Sequence, residues 1–246
     1  MKADHAGLLE LAARLPDIPR WVETRGFLLS GRCEVLRGGA ENGLVVRGLD
    51  RPLICVVGRP DATALTESVL RAPADAEVLA PPESVEDVAR ALPDWSQEGA
   101  AIHALSRETA EAMPAGSVSV GLLSRNKPGP LGHVPAPLRK EIEEALNWSS
   151  HVAAAFDGDV PVSFCYCASE TETLWDVSID TLEPYRRRGI AAECAGFLIH
   201  HMSTHGKAPV WGALDSNLAS ARLALKLGFS PVDRMQLFTR EPGVAR

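Results

Sequence analysis

The stretch Leu174-Trp175-Asp176-Val177-Ser178-Ile179-Asp180-Thr181-Leu182-Glu183-Pro184-Tyr185-Arg186-Arg187-Arg188-Gly189-Ile190-Ala191 decides the fold. From Leu174 to Ile179 apolar and polar residues alternate, which is the period of a strand with one buried face. Beyond Gly189, the residues Ala191, Cys194, Ala195, Leu198 and Met202 are spaced to share one face of a helix. A strand therefore runs into a basic, glycine-bearing turn that opens a helix. Gly189 lets the backbone turn tightly and approach a ligand closely. The peptide N–H groups that follow are unpaired first-turn donors at the positive end of the helix dipole. That combination holds a phosphate or pyrophosphate. The same residues also fit a plain strand-to-helix turn, so the next segment downstream has to decide.

From Pro209 to Phe229 the chain reads Pro-Val-Trp-Gly-Ala-Leu-Asp-Ser-Asn-Leu-Ala-Ser-Ala-Arg-Leu-Ala-Leu-Lys-Leu-Gly-Phe. This is a short apolar strand, a cluster of capping residues (Asp215, Ser216, Asn217), a helix and a glycine stop at Gly228. Together the two segments resemble the GNAT superfamily of acyl-CoA-dependent N-acetyltransferases. The first matches the signature Q/R-x-x-G-x-G/A at Arg186, Gly189 and Ala191. The second matches the block N-x-x-A/S-x-x-L-x-x-K-L-G-F at Asn217, Ser220, Leu223, Lys226, Leu227, Gly228 and Phe229. Ile179-Asp180-Thr181 and Trp211 look most like the zwittermicin-resistance-type branch. The resemblance covers roughly the last half of the chain.

The resemblance implies an α/β (α+β) architecture. Residues 116–246 would form a GNAT domain with a mixed, mostly antiparallel central sheet flanked by helices. Residues 1–115 would form a smaller α/β domain of accessory or pocket-shaping role, which in relatives is sometimes a degenerate copy of the same fold. Residues 1–115 contain no second Arg-x-x-Gly-x-Ala signature.

The resemblance also assigns roles. Acetyl-CoA is the implied co-substrate and a small-molecule amine the implied acceptor. The backbone of Ile179, Asp180 and Thr181 would pair with the pantetheine arm and polarise the thioester. The N–H groups from Arg187 through Arg188, Gly189 and Ile190 to Ala191 would take the pyrophosphate. Arg186 fills the signature's Q/R position, and Asn217 the place of a CoA-contacting amide. Many relatives carry a tyrosine after the block's leucine as proton donor to the thiolate; here that residue is Ala224. Ser220, one turn earlier on the same helix face, is the substitute donor. For the base, strand alternation puts Asp176, Ser178 and Asp180 on one face, so Asp176 and Asp180 are the catalytic candidates; they also fit as binders of a substrate ammonium. Two other functions stay open: a CoA-binding sensor without turnover, and transfer of a longer acyl group. A homodimer is one oligomeric option.

Composition sets the outer limits. The chain has 246 residues, 46% hydrophobic and 23% charged, the profile of a globular protein. Its formal charge of −7 argues against general nucleic-acid binding. No apolar run approaches the roughly 20 residues of a membrane span. The N-terminus lacks the order of a secretory signal, so the expected location is the cytoplasm. Five scattered cysteines (Cys33, Cys55, Cys165, Cys167, Cys194) suit buried small hydrophobes better than a disulfide framework, and no metal site is expected.

Along the N-terminal half the pattern predicts a helix near 5–15, strands at 26–29, 43–46 and 52–57, and a helix over 61–70. A strand at 77–80, a helix opened by a capping box at Ser84, and a strand at 100–105 follow. Gly58-Arg59-Pro60-Asp61 also joins a strand to a helix, but has one glycine and no Gly-Lys-Ser/Thr ending. A joint is expected at 108–117, then a strand at 117–122 and a loop over 127–137. A helix over 137–147 presents Arg139, Lys140, Glu141, Glu143 and Glu144 as a solvated face. A hairpin turning at Asp157-Gly158-Asp159 precedes the decisive strand. His201 and His205 have metal-compatible spacing, yet without an accompanying carboxylate motif they read as an exposed helix end; His133 and His151 are minor base candidates.

Overall fold

The computed structural model describes residues 4–37, 43–113, 119–126, 129–149 and 151–240. The expected domain boundary at 115/116, the joint around Pro114–Gly116, the strand start at Ser117 and Val118, and Lys127 and Pro128 of the expected loop lie outside the described residues. In chain order the elements are α1 (His5–Arg14), α2 (Val22–Ser30), β1 (Cys33–Arg37), β2 (Leu44–Gly48), β3 (Leu53–Val57), α3 (Ala62–Arg71), β4 (Glu77–Ala80), α4 (Val85–Ala91) and β5 (Trp95–Ala104). Then come α5 (Arg107–Glu111), β6 (Val120–Leu123), α6 (Ala136–Trp148), β7 (Val152–Asp157), β8 (Val160–Glu170), β9 (Leu174–Thr181), α7 (Ile190–Thr204), β10 (Ala208–Leu214), α8 (Leu218–Lys226) and β11 (Ser230–Arg240).

These elements form two compact units. The first holds residues 1–102, 213–218 and 232–246; the second holds 103–212 and 219–231. In the first, the strands run β1-β2-β3-β4-β11-β5. β1, β2 and β3 form an antiparallel meander, β4 returns parallel to β3 after α3, and β11 pairs antiparallel with β4. Alternation decides which side each residue buries. Val45, Ile54, Val56 and Val78 pack with Leu65 and Val69 of α3, Val88 of α4 and Phe238 of β11. Val35, Val46, Cys55 and Val57 face Leu8 and Leu11 of α1 and Phe27 and Leu28 of α2.

Two expectations change here. Residues 26–29 are the second half of α2, not a strand. The helix is buried almost all round, from Thr24 to Leu28, so it carries no polar face and its apolar run has no diagnostic period. Gly31, at φ 70°, ends it as a left-handed cap, and the buried Arg25 guanidinium donates to the carbonyls of Ala12 and Leu15 at the end of α1. Ser84 is not a capping side chain either. A 3₁₀ turn over Pro82–Ser84 leads into α4, and the Ser84 hydroxyl donates to the carbonyl of Gly58 instead.

The second unit repeats the same plan. β7, β8 and β9 form an antiparallel meander, and β10 returns parallel to β9 after α7; β6 extends the far edge against β7. Meander, helix, parallel strand, helix, strand is thus traced twice along the chain. One face of this sheet packs on α6, through Ile142, Ala145 and Leu146 against Val152, Ala154, Phe164 and Tyr166. The other face packs on α7, whose Cys194, Ala195, Leu198, Ile199 and Met202 are all buried. All five cysteines are buried and outside any disulfide, and burial pushes the thiols of Cys33, Cys55 and Cys194 up to about 12. No helix among the described residues is long and apolar enough to cross a membrane.

Candidate functional site

The site grows from the unequal partners of β9. On one side β9 pairs with β8 from Trp175 opposite Glu170 to Thr181 opposite Ser163. On the other, its pairing with β10 covers only Leu174–Asp176 against Ala208–Val210. From Val177 to Thr181 the strand continues with its β10-side edge out of that ladder. Backbone groups on such an edge seek another partner. Ile179, Asp180 and Thr181 all lie on this segment. Its far end is fixed from the β8 side: the Ser163 hydroxyl donates to the Asp180 carbonyl at 3.1 Å and shares a 2.7 Å hydrogen bond with the Thr181 hydroxyl.

The turn that follows is built from the backbone. The Leu182 N–H donates to the Val162 carbonyl (2.9 Å), and Glu183–Tyr185 form a single 3₁₀ turn started by Pro184. Arg186 Nε donates back to the Thr181 carbonyl at 2.9 Å, bracing the strand end. Arg187 stands at φ 62°, the one non-glycine residue with positive φ among the described residues, and Gly189 at φ 84° is the N-cap of α7. A left-handed non-glycine residue costs about 1–2 kcal/mol. The Arg188 guanidinium lies 5.3 Å from the centroid of the Tyr185 ring. Arg186 to Gly189 are all exposed, and no side chain caps the helix. The first-turn N–H groups at Ile190 and Ala191 are thus offered to solvent beside three cationic side chains.

On the α6 face of the sheet the structure gathers a second group. Phe164 stands opposite Asp180 and Tyr166 opposite Ser178, so Tyr166, Ser178 and Asp180 share a face. The Tyr166 hydroxyl donates to the Glu141 carboxylate of α6 at 2.6 Å. Glu141 is therefore more than a solvated charge, unlike Arg139–Glu143 and Lys140–Glu144, which pair along the helix surface. Burial raises the Asp180 carboxyl above the usual range; the Glu141 charge adds to this and Arg186 opposes it. Burial, followed by the bond to Glu141, raises Tyr166. Asp176 shares the strand face but sits four residues earlier, about 13 Å along the strand from Asp180. It stands opposite Ser169, past an irregularity between Cys167 and Ser169.

The second motif lands in two places. Ser220 lies on α8 in the second unit, and its hydroxyl accepts the indole N–H of the buried Trp211 at 2.8 Å. Ala224 is fully buried. Asn217 falls in the stretch assigned to the first unit, where its N–H donates to the Leu214 carbonyl at 2.9 Å. Gly228, at φ 91°, ends α8 as expected. His133 bonds the Pro161 carbonyl through Nε2 at 2.8 Å. His201 and His205 are joined by His151, which the sequence could not place beside them. Burial holds His151 and His201 below the usual imidazole range; for His151, Glu170 opposes this while His205 and Lys207 add to it.

Glu141 and Tyr166 are the residues that sequence reasoning missed. They are 25 positions apart, and no spacing rule links a helix face to a strand across such a gap.

Residues 153–238 match the family model described as GNAT acetyltransferase. No curated protein matches the chain. Among solved structures, a Drosophila protein aligns with a TM-score of 0.69 at 10% identity, covering 98% of both chains. A GCN5-related N-acetyltransferase-like protein from Streptococcus suis aligns at 0.67 and 17% identity, covering 96% of this chain and 97% of that one. A tandem GNAT protein from the clavulanic acid biosynthesis pathway aligns at 0.54 and 14% identity, over 97% and 94%. The last likeness extends through both units, in keeping with the twice-traced plan.

Proposed function

We propose that the protein is an acetyl-CoA-dependent N-acetyltransferase acting on a small amine, a reading supported by the match of residues 153–238 to the GNAT acetyltransferase family model. The observation that carries this reading is the course of β9. It leaves its ladder with β10 after Asp176 and ends in an uncapped, triple-arginine helix start. The donor set fits a CoA thioester: a strand edge over Ile179–Thr181 that lies outside the β10 ladder, for an amide-bearing arm, then N–H groups and Arg186, Arg187 and Arg188 for phosphates. Asn217 supplies a further amide in this reading, and residues 1–115 take an accessory role.

The chemistry is direct transfer. The amine nitrogen attacks the thioester carbonyl carbon, a backbone N–H near Ile179 stabilises the oxygen as it gains charge, and the C–S bond breaks. The amine's proton goes to Asp180. Its raised carboxyl is better matched to that transfer than an ordinary aspartate. Glu141 beside it favours a cationic acceptor, and Asp176, further along the face, binds a second polar group of a longer acceptor. In this reading the departing thiolate takes a proton from water or from Ser220, whose hydroxyl accepts the Trp211 indole N–H.

Ala224, buried where relatives carry a proton donor, favours a second reading, in which CoA is bound without turnover. Thiol release from acetyl-CoA across a panel of primary amines separates the two. Amine-dependent release is expected; tight acetyl-CoA binding with no release from any amine overturns catalysis. Replacing acetyl-CoA with longer thioesters in the same assay tests acyl length.

A further inference from the structure

Three imidazoles pack ring against ring at the C-terminal end of α7. His201 lies in the last turn, His205 is the C-cap, and His151 stands just ahead of β7. Their ring centroids are 5.4, 5.4 and 4.6 Å apart. Nδ1 of His151 and Nε2 of His201 share a hydrogen bond of 3.3 Å. A bond between two ring nitrogens needs one N–H and one lone pair, so at least one of the two rings is neutral while it lasts. When both are imidazolium, each nitrogen carries a hydrogen, the bond is lost, and two positive charges face each other across the same gap. The contact therefore belongs to one protonation range only.

The third ring stays beside the pair in either state. His205 Nδ1 donates to the His201 carbonyl at 2.9 Å, a bond that neutral and charged imidazole both make. The last carbonyls of α7 favour a cation there, at the exposed helix end. Burial is the largest influence on His151 and on His201 and lowers both; His205 adds to it in each, and His151 and His200 add further for His201. From β8, Glu170 favours a charged His151, but Lys207, just ahead of β10, holds that carboxylate at 2.8 Å and acts the other way. From α5, Glu111 is paired with Arg107, and its carbonyl is met by His200 at 3.3 Å. By alternation β7 and β9 present Ala153, Ala155, Trp175 and Val177 to this face, all buried.

We propose that His151, His201 and His205 form a pH-sensitive clasp, which holds the end of α7 against the start of β7 while one of the paired rings is neutral and releases it when both are charged. Imidazoles of an unfolded chain charge near pH 6.5, or about that value; burial and mutual repulsion make the clasped pair charge only at lower pH. The clasp is thus at full strength above the unfolded value, and the stability it contributes is lost as pH falls through that value toward the folded ones. The arginine turn lies at the other end of α7, fifteen helical residues away, or about 22 Å, so the clasp stands independently of acyl transfer.

The test follows the imidazole signals of the full-length chain by NMR as pH is lowered from about 8 to about 5. Amide exchange along α7 is measured by mass spectrometry in the same buffers. His151 and His201 should charge at lower pH than a free imidazole. As they do, the last turn of α7 should lose protection relative to the first turns of the same helix, after correction for intrinsic exchange. His205→Gln removes one charge from the cluster and keeps an amide donor for the His201 carbonyl, so the midpoints of His151 and His201 should both rise. In His201→Gln, where the pair can no longer be doubly charged, the end of α7 should stay protected down to about pH 5; circular dichroism at neutral pH checks the fold. Rings that charge as free imidazoles do in the unmodified chain overturn the proposal, and that result needs no variant. So does an α7 end equally protected before and after both rings charge, or a pair of midpoints that His205→Gln leaves unmoved.

Discussion

The two units each carry a strand, a glycine-bearing turn and a helix in the same topological place, and the two turns are built very differently. In the first unit Gly58, at φ 60°, leads to Asp61, whose carboxylate caps α3 by accepting the Thr63 N–H at 3.1 Å. The Gly58 carbonyl is taken by Ser84, and a Cβ on Gly43 would stand 2.3 Å from the Arg59 carbonyl, so the loop is also closed in by its neighbours. In the second unit Gly189 caps α7 with no side chain at all, nothing stands within 4 Å of where its Cβ would be, and three arginines precede it. A glycine between strand and helix is common to both. In the proposed reading, what would separate an anion site from a sealed joint is whether the protein spends its own carboxylate on the helix's first donors. The strands leading in differ too: β3 reads Leu-Ile-Cys-Val-Val, whereas β9 carries Asp176, Ser178 and Asp180.

That contrast yields three tests. The largest effect is expected from Asp180→Asn. If β9 supplies the base, turnover should fall by about 10²–10⁴-fold, the usual worth of a positioned proton acceptor. The unmodified enzyme should lose rate as pH falls through the raised Asp180 value. The sign for stability is the reverse of the ordinary aspartate case. Because the folded carboxyl holds its proton more tightly than the unfolded one, Asp180 costs stability as pH rises through the folded value. Asp180→Asn should therefore melt higher at neutral pH while turning over more slowly. A variant that melts lower and keeps its rate would remove Asp180 from the mechanism.

Next in size is Gly189→Val. There is space for the side chain but φ 84° is strained for it, at about 1–2 kcal/mol. Acetyl-CoA affinity by calorimetry should drop more than about tenfold once the turn is displaced. Gly58→Val, equally strained, should cost stability alone. Equal acetyl-CoA affinity in both variants would erase the distinction between the turns. The smallest effect belongs to Asp61→Ala, which removes the cap of α3. About 1 kcal/mol of stability should be lost, read as a melting temperature lower by about 2–4 °C, with acetyl-CoA affinity untouched.

The sequence made the β9–α7 turn legible because its chemistry is local. Alternation from Leu174, the Arg186–Gly189 run and the Cys194–Met202 face lie within thirty positions and obey short periods. The hairpin at Asp157-Gly158-Asp159 was legible for the same reason, Gly158 adopting φ 60°. Where burial overrode period, reading failed. Residues 26–29 are apolar on every side, and such a run fits a strand or a buried helix equally. The Glu141–Tyr166 contact and the His151–His201 pair span 25 and 50 positions; both arise from packing α6 and α7 on opposite faces of one sheet, which no local pattern encodes. Nor did any spacing show that β11 returns to pair with β4, some 150 residues upstream.

That last return makes the protein hard to cut. A fragment ending near residue 115 would retain β4 yet forfeit Gln236, Leu237 and Phe238, which hydrogen-bond along it, and would uncover Val78 and Ala80, both fully shielded in the intact chain. An unpaired apolar strand edge of that kind is a template for aggregation. The sheet of the first unit therefore waits, during synthesis, for a strand that emerges more than 150 residues after β4.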